Sequence, residues 1–528
     1  MRGEARDVQR VGDVLCSAMR ANGSHRNKPM KTSFKNLFYL PALIAGLGLI
    51  PAGRVIAQTF TTLHSFSALS GSSPYTNSDG ASPDATLILS GNTLYGTAPY
   101  GGSFGKGTVF AVNIDGTGFT ILHTFTATSG FPSFTNSDGA TPLGGLILSG
   151  NTLYGTAVFG GSSDNGTVFK VNTDGTAFST LHRFTSGSDG AHPIAGLVLS
   201  GNTLYGTAGY GGHSDNGTVF KVNTDGTGFT NLHSFTALIP YYTNSFETVF
   251  HTNCDGAFPQ GGLILSGDTL YGTANEGGSS GGGTVFAINA DGTGFTTLHS
   301  FSGSTSTNSD GANPVAGLIL SGNTLYGTTP GTVFALNTGG TGFTNLYSFT
   351  AGGFNSSGIY TNCDGASPQA SLILSGNTLY GTAERGGSSG SGTVFAVNTA
   401  GTGFTNLHTF MAINITNSGG AYPYGGLVLS GNTLYGTAFR GGSSGAGTVF
   451  SLSFAPQLTI TPSGANVILM WLTNAAGFDY TGLTLQSTTN LVSPELWTTV
   501  SPGPVIIGGK NTVTNLVSGT QQFFRLSQ

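Results

Sequence analysis

The sequence predicts an all-β chain, a seven-bladed β-propeller with four-stranded blades followed by a small β-sandwich, and three observations predict it. The decapeptide LSGNTLYGTA at residues 89–98 recurs unchanged at 148, 199, 374 and 429, and with one change at 265 and 320. Each copy opens a unit holding four strand-like runs in a fixed order, a period near 50 residues without helical spacing. A lone copy of the fourth run precedes the first unit, and the last unit stops after its third.

Residues 1–57 stand apart from this pattern. MKTSFKNLFYLPALIAGLGLIPAGRVIA has a basic start (Lys31, Lys35), an apolar run and small residues ending at Ala57, as a secretory signal cleaved before Gln58 would. A signal of this kind starts at the N-terminus, which points to Met30 as the true start; a signal-anchor with a 29-residue tail is the alternative. The apolar run falls short of the roughly 20 residues of a comfortable membrane span. No stable span is expected after cleavage.

The rest of the chain is sparsely charged. Charged residues are 7% of the whole, and Gly occupies 87 positions. Nine of the 17 Lys and Arg lie before Gln58, so the mature chain carries eight basic against 19 acidic residues. That balance argues against nucleic acid and anionic membrane surfaces as partners. Only Cys254 and Cys363 remain, which excludes a disulfide scaffold.

The second unit illustrates residues 58–454. GLILSG (145–150), NTLYGTA (151–157), GTVFKVN (166–172) and FSTLHRF (178–184) are strand candidates A, B, C and D. Gly and Asn turn the chain between A and B, and Asp-Gly turns it between C and D. Tyr95, Tyr154, Tyr205, Tyr271, Tyr326, Tyr380 and Tyr435 mark the seven B strands. The lone D run, FTTLHSF at 60–66, is expected to complete the last blade beside GTVFSLSF at 447–454. Such closure leaves no sheet edge exposed at the seam.

These LYGTA and GTVF words, recurring over residues 59–454, resemble the GloVer tandem repeat, a family of exported bacterial proteins with varied C-terminal attachments. The strand order is also similar to kelch blades, which implies only a propeller-like layout. From Ala455 to Gln528, short alternating runs such as NVILMWLTN and QQFFRLSQ predict a sandwich that resembles fibronectin-like modules. Trp471 and Trp497 are its expected core.

With this strand order the D to A and B to C connections share one face, and the variable residues fall on it. A motif of the type TNSDGASP precedes each A strand and carries Asp79, Asp138, Asp189, Asp255, Asp310 and Asp364, with Gly419 in the seventh unit. Asp in such a motif makes a local turn to nearby N–H groups. The alternative is a ring of carboxylates around the channel mouth collecting Ca2+; no other cofactor is expected. His64, His123, His182, His233, His299 and His408 recur in strand D, where packing or hydrogen bonding is expected rather than metal binding.

Unit 5 has lost its B to C loop, reading LYGTTPGTVF. The long D to A insertions on either side bring Tyr241, Tyr242, Phe246, Phe250, Phe354 and Tyr360 toward this sector. Aromatic rings among Asn and Thr suit sugar binding, because a ring face covers the C–H side of a sugar while amides take its hydroxyls. Glu276 and Glu384, read as matching loop positions in units 4 and 6, are the candidate pair for a polysaccharide-degrading enzyme near unit 5. The expected function is a secreted, periplasmic or cell-surface non-catalytic protein that binds extracellular polysaccharide or a surface protein. A structural envelope or matrix component is the remaining alternative.

Overall fold

The computed structural model describes residues 57–130, 134–243, 248–302, 310–356, 358–412, 418–456, 458–475, 477–489, 491, 496–516 and 521–527. The expected signal, apart from Ala57, lies outside the described residues. The architecture is all-β and propeller-like, with seven four-stranded antiparallel sheets of one strand order. Ile56–Gln528 form one compact unit. Among the described residues no helix is long and apolar enough to cross a membrane.

In the second unit A is Ile147–Ser149, B is Thr152–Ala157, C is Thr167–Asn172 and D is Ser179–Arg183. B and C are buried along nearly their whole length, as strands covered on both faces must be. Gly155 in the middle of B has a packing cause: a Cβ there would lie 2.7 Å from the ring of Phe169 on strand C. In every unit the C to D pairing slips by one residue, and in the first the bulge falls at Leu122, beside His123.

Apolar clusters fill the spaces between consecutive sheets. Tyr95, Val109, Leu122 and Phe125 of unit 1 pack on Leu146, Leu153 and Phe169 of unit 2. The same seam joins the ends: Phe66, Tyr435 and Val449 pack on Leu87, Leu94 and Phe110 of unit 1. Buried hydroxyls repeat the pattern. Thr156 donates to the Ala195 carbonyl of the next unit at 2.9 Å, and Thr437 of unit 7 donates to Ala85 of unit 1 at 3.1 Å.

The seventh sheet uses both parts of the chain. Ala57–Ser65 pairs antiparallel with Thr448–Ala455, from Ala57 opposite Ala455 to Ser65 opposite Thr448 with a one-residue slip at Leu63. The strand begins earlier than the run 60–66 and takes in Ala57, the residue read as the end of the signal.

Beyond the repeats, Thr459–Ser463, Asn466–Leu472, Lys510–Leu516 and Val505–Ile507 form one sheet. Thr484–Thr488, Thr498–Thr499 and Phe523–Ser527 form another. Leu469, Trp471, Leu485, Val500 and Val513 share one apolar cluster with Tyr380, Leu434 and Phe454 of the repeats. Trp497 departs from expectation: it is only half-buried and lies under the Arg525 guanidinium, 4.2 Å away.

Candidate functional site

The D to A and B to C connections meet on one face. Ala81 bridges Tyr100, Ala140 bridges Phe159, Ala191 bridges Tyr210, Ala257 bridges Glu276, Ala366 bridges Arg385 and Ala421 bridges Arg440. Unit 5 has no such bridge among the described residues, because its B and C strands are joined by Pro330 and Gly331 alone. Beside each of four bridges sits an asparagine hub. Asn77 accepts from the N–H groups of Gly80 and Gly102 and donates to the Ser67 and Gly80 carbonyls; Asn136, Asn253 and Asn362 repeat this. The turn role expected of Asp thus belongs to Asn.

Inside the bridges, the residue preceding each motif proline stands at positive φ. Ser82, Thr141, His192, Phe258, Asn313, Ser367 and Tyr422 have φ between 54° and 58°. Non-glycine residues rarely hold this conformation, and here each is held by its N–H, donated across the seam to the preceding unit. Thr141 donates to Lys106 at 2.8 Å, and Ser82 donates to Ala446 of unit 7 at 2.7 Å. One backbone shape is thereby imposed on seven different side chains.

The side chains of this crown and of the bridged loops form an aromatic ladder. Phe159 lies 5.1 Å from His192, His192 lies 5.6 Å from Tyr210, and Tyr210 lies 5.2 Å from Phe258, centroid to centroid. His192 Nδ1 is 3.0 Å from the Val158 carbonyl, which orients the ring. Phe159 is 43% exposed and Tyr210 39%; Tyr100 holds the same place in unit 1 and is 44% exposed. This ladder spans units 2 to 4. Sequence reasoning missed it, although aligning the repeats on DGAxP exposes the variable column.

The aromatic residues expected near unit 5 are placed differently. Phe354 is 78% exposed, with Tyr360 edge-on at 5.8 Å across the short hairpin of Gly353–Phe354 and Tyr360–Thr361. The Tyr360 hydroxyl accepts the Gly352 N–H at 2.7 Å, so Tyr360 folds its own loop down. Tyr241 and Tyr242 lie on a strand, Ile239–Thr243, paired with Thr248–Thr252, where Tyr241 is opposite Phe250. Phe246 lies outside the described residues.

The six aspartates do not line the axial cavity between the sheets. Each anchors the end of the preceding D strand. Asp138 lies 3.1 Å from His123 Nε2, accepts the Thr126 N–H at 2.9 Å and accepts the Thr126 hydroxyl. Asp79, Asp189, Asp255 and Asp310 bind His64, His182, His233 and His299 in the same way, and Tyr347 donates to Asp364 at 2.7 Å. Each His, and Tyr347, also stacks on a Phe of the next unit; His123 lies 3.6 Å from Phe178. Burial alone would raise Asp79, Asp138 and Asp255, but the hydrogen bonds from His and from Ser67, Thr126 or Thr236 outweigh it and hold them below the ordinary carboxylate range. Among the described residues no three His, Cys, Asp or Glu side chains converge as metal ligands.

The glutamates were misaligned. Glu276 bridges Ala257 as Arg385 bridges Ala366, so Glu276 corresponds to Arg385 and Glu384 to Asn275. Adjacent residues of an extended segment point to opposite sides, which separates the two carboxylates in orientation as well as by a whole unit. Glu384 is 2% exposed and is held by the Tyr424 hydroxyl at 2.6 Å, Arg385 Nε at 2.8 Å and the Gln369 amide. No catalytic pair forms from them.

Gln369 and Tyr424 belong to the wall of the axial cavity, which measures about 210 Å3 and takes residues from all seven units. Its rim carries one variable side chain per unit: Asp84, Leu143, Ile194, Gln260, Val315, Gln369 and Tyr424. Asp84 Oδ1 is buried and has no hydrogen-bond partner. Burial pushes its carboxyl up to about 8.

Residues 128–329 and 330–491 match the model of the Gloeobacter/Verrucomicrobia repeat. No curated protein sequence matches the chain. Among solved structures, the nidogen/laminin complex is similar at 17% identity, covering 51% of this chain and 78% of that chain with a TM-score of 0.31. The extracellular domain assigned to a hybrid two-component system of B. thetaiotaomicron is 11% identical, with 79% of this chain, 46% of that chain and a TM-score of 0.43. This chain thus spans less than half of that protein's length. Oligogalacturonate lyase from Vibrio parahaemolyticus is 10% identical, with 75% of this chain, 97% of that chain and a TM-score of 0.40.

Proposed function

The chain belongs to the Gloeobacter/Verrucomicrobia repeat family, and from that premise we propose that it is an exported, non-catalytic surface protein that binds extracellular glycan. Its seven repeat sheets act as the blades of one closed propeller, and the two larger C-terminal sheets as a small sandwich docked on it. The carrying observation is the ladder Phe159–His192–Tyr210–Phe258, a run of rings across three units on the face where the repeats differ, in which Phe159 and Tyr210 are exposed and His192 and Phe258 half-buried. The exposed rings of Phe159 and Tyr210, one per unit, offer apolar surface for the C–H faces of sugars, and Phe354 offers a separate exposed ring. The signal-like segment before Gln58 supports export.

A glycan array probed with the purified mature chain tests this reading. Binding to at least one oligosaccharide is expected, weakened about tenfold, or about 1.4 kcal/mol, in Tyr210→Ala. An array without signal, or binding indifferent to both Tyr210→Ala and Phe159→Ala, would reject it.

A further inference from the structure

The axial cavity offers chemistry that the aromatic ladder does not. Among its described lining residues Asp84 is the one charged side chain, and no lysine or arginine lines it. The carboxyl carries a buried Oδ1 without a hydrogen-bond partner, and nothing cationic stands opposite. An uncompensated carboxyl in such a place is costly unless a ligand completes it. The neighbours divide by chemistry: Tyr424 and Gln369 flank Asp84 on one side of the ring, Leu143 and Ile194 on the other. Tyr424 and Gln369 spend their donors on Glu384, whose charge Arg385 balances, so they leave Asp84 without a donor of their own.

We propose that this cavity binds a small primary ammonium compound, whose charge pairs with Asp84 and whose hydrocarbon body lies against Leu143 and Ile194. The apolar wall and the single carboxylate favour an organic cation over a bare metal ion, which would require several oxygen ligands. Binding a cation ionises Asp84 and releases its proton. Beside it, Tyr424 is pushed up to about 12 by burial and by Glu384, whose carboxylate lies 2.8 Å from Arg385 Nε. Affinity therefore rises with pH while Asp84 is protonated, about tenfold per unit, and levels off above about pH 8.

Isothermal titration of the mature chain with n-butylammonium chloride, with n-butanol as the uncharged probe, tests the site. Expected are one-to-one binding of the amine, an affinity about tenfold higher at pH 7 than at pH 6, and a loss of at least tenfold in Asp84→Asn. Asp84→Asn keeps the side-chain volume and removes the cost of holding a buried carboxyl protonated near neutral pH, so its thermal unfolding should be unchanged or shifted upward. Absent binding at millimolar amine, affinity independent of pH in the unmodified chain, or equal affinity in Asp84→Asn would each overturn the proposal.

Discussion

Unit 7 contains a natural variant of the anchoring contact. Gly419 stands where the other units have Asp, and His408 keeps its stack on Phe60, at 4.2 Å, without a carboxylate. Burial then pushes His408 down to about 4. A histidine depressed in the folded state contributes stability that is complete above its unfolded value near 6.5 and is lost as pH falls toward 4. His408→Phe should therefore remove up to about 3 kcal/mol of the stability loss between pH 6.5 and 4, read by denaturant unfolding across that window. Asp138→Ala should act differently. It strands His123 and the Thr126 N–H, and should cost about 2–4 kcal/mol at neutral pH by the same measurement. Because Asp138 is held below the ordinary range, its contribution persists down to about pH 4 and disappears only below it.

Elements meet where, in every unit but the fifth, the glycine before the C strand lies under the proline of the next unit. At Gly217, with φ of 96°, a Cβ would stand 2.5 Å from Pro259 Cδ. At Gly331, where unit 5 lacks its loop, a Cβ would meet nothing within 4 Å. Gly217→Ala should therefore lower stability by about 2 kcal/mol or more, while Gly331→Ala should be neutral within about 0.5 kcal/mol. Both glycines belong to the same repeated word, GTVF, and only the missing loop distinguishes them. Strand order, turns and the shortened hairpin were legible in the sequence because they depend on neighbouring residues. The bulge beside His123, the hairpin of Tyr241 and Phe250, and the positive φ at His192 were not, because each depends on contacts between segments. Glu276 and Glu384 failed for a simpler reason: NEGG and ERGG align by their glycines, which pairs Glu276 with Arg385.

At the scale of the molecule, repetition and variation have separate places. Repeated residues build the sheets, as Phe169 over Gly155 does within a unit, and the seams between units, as Thr156 on Ala195 does, and these seams run through both chain ends. Varied residues stand on one crown and one rim, where a fixed backbone displays His192 and Phe258, or Asp84 and Tyr424. The pairing of the two chain ends in one sheet was readable from a lone D run at 60–66, whereas the ladder and the axial carboxyl appear only when the copies are compared in space. A rigid display of this kind requires a closed ring. In the proposed propeller, closure falls to the strand Ala57–Ser65, which pairs with Thr448–Ala455, and to Phe66, which is fully buried. Thermal unfolding of a mature chain lacking residues 58–66 measures it directly. The midpoint should fall by about 10 °C or more and recover when a peptide of residues 58–66 is added; an unchanged midpoint would contradict closure by that strand.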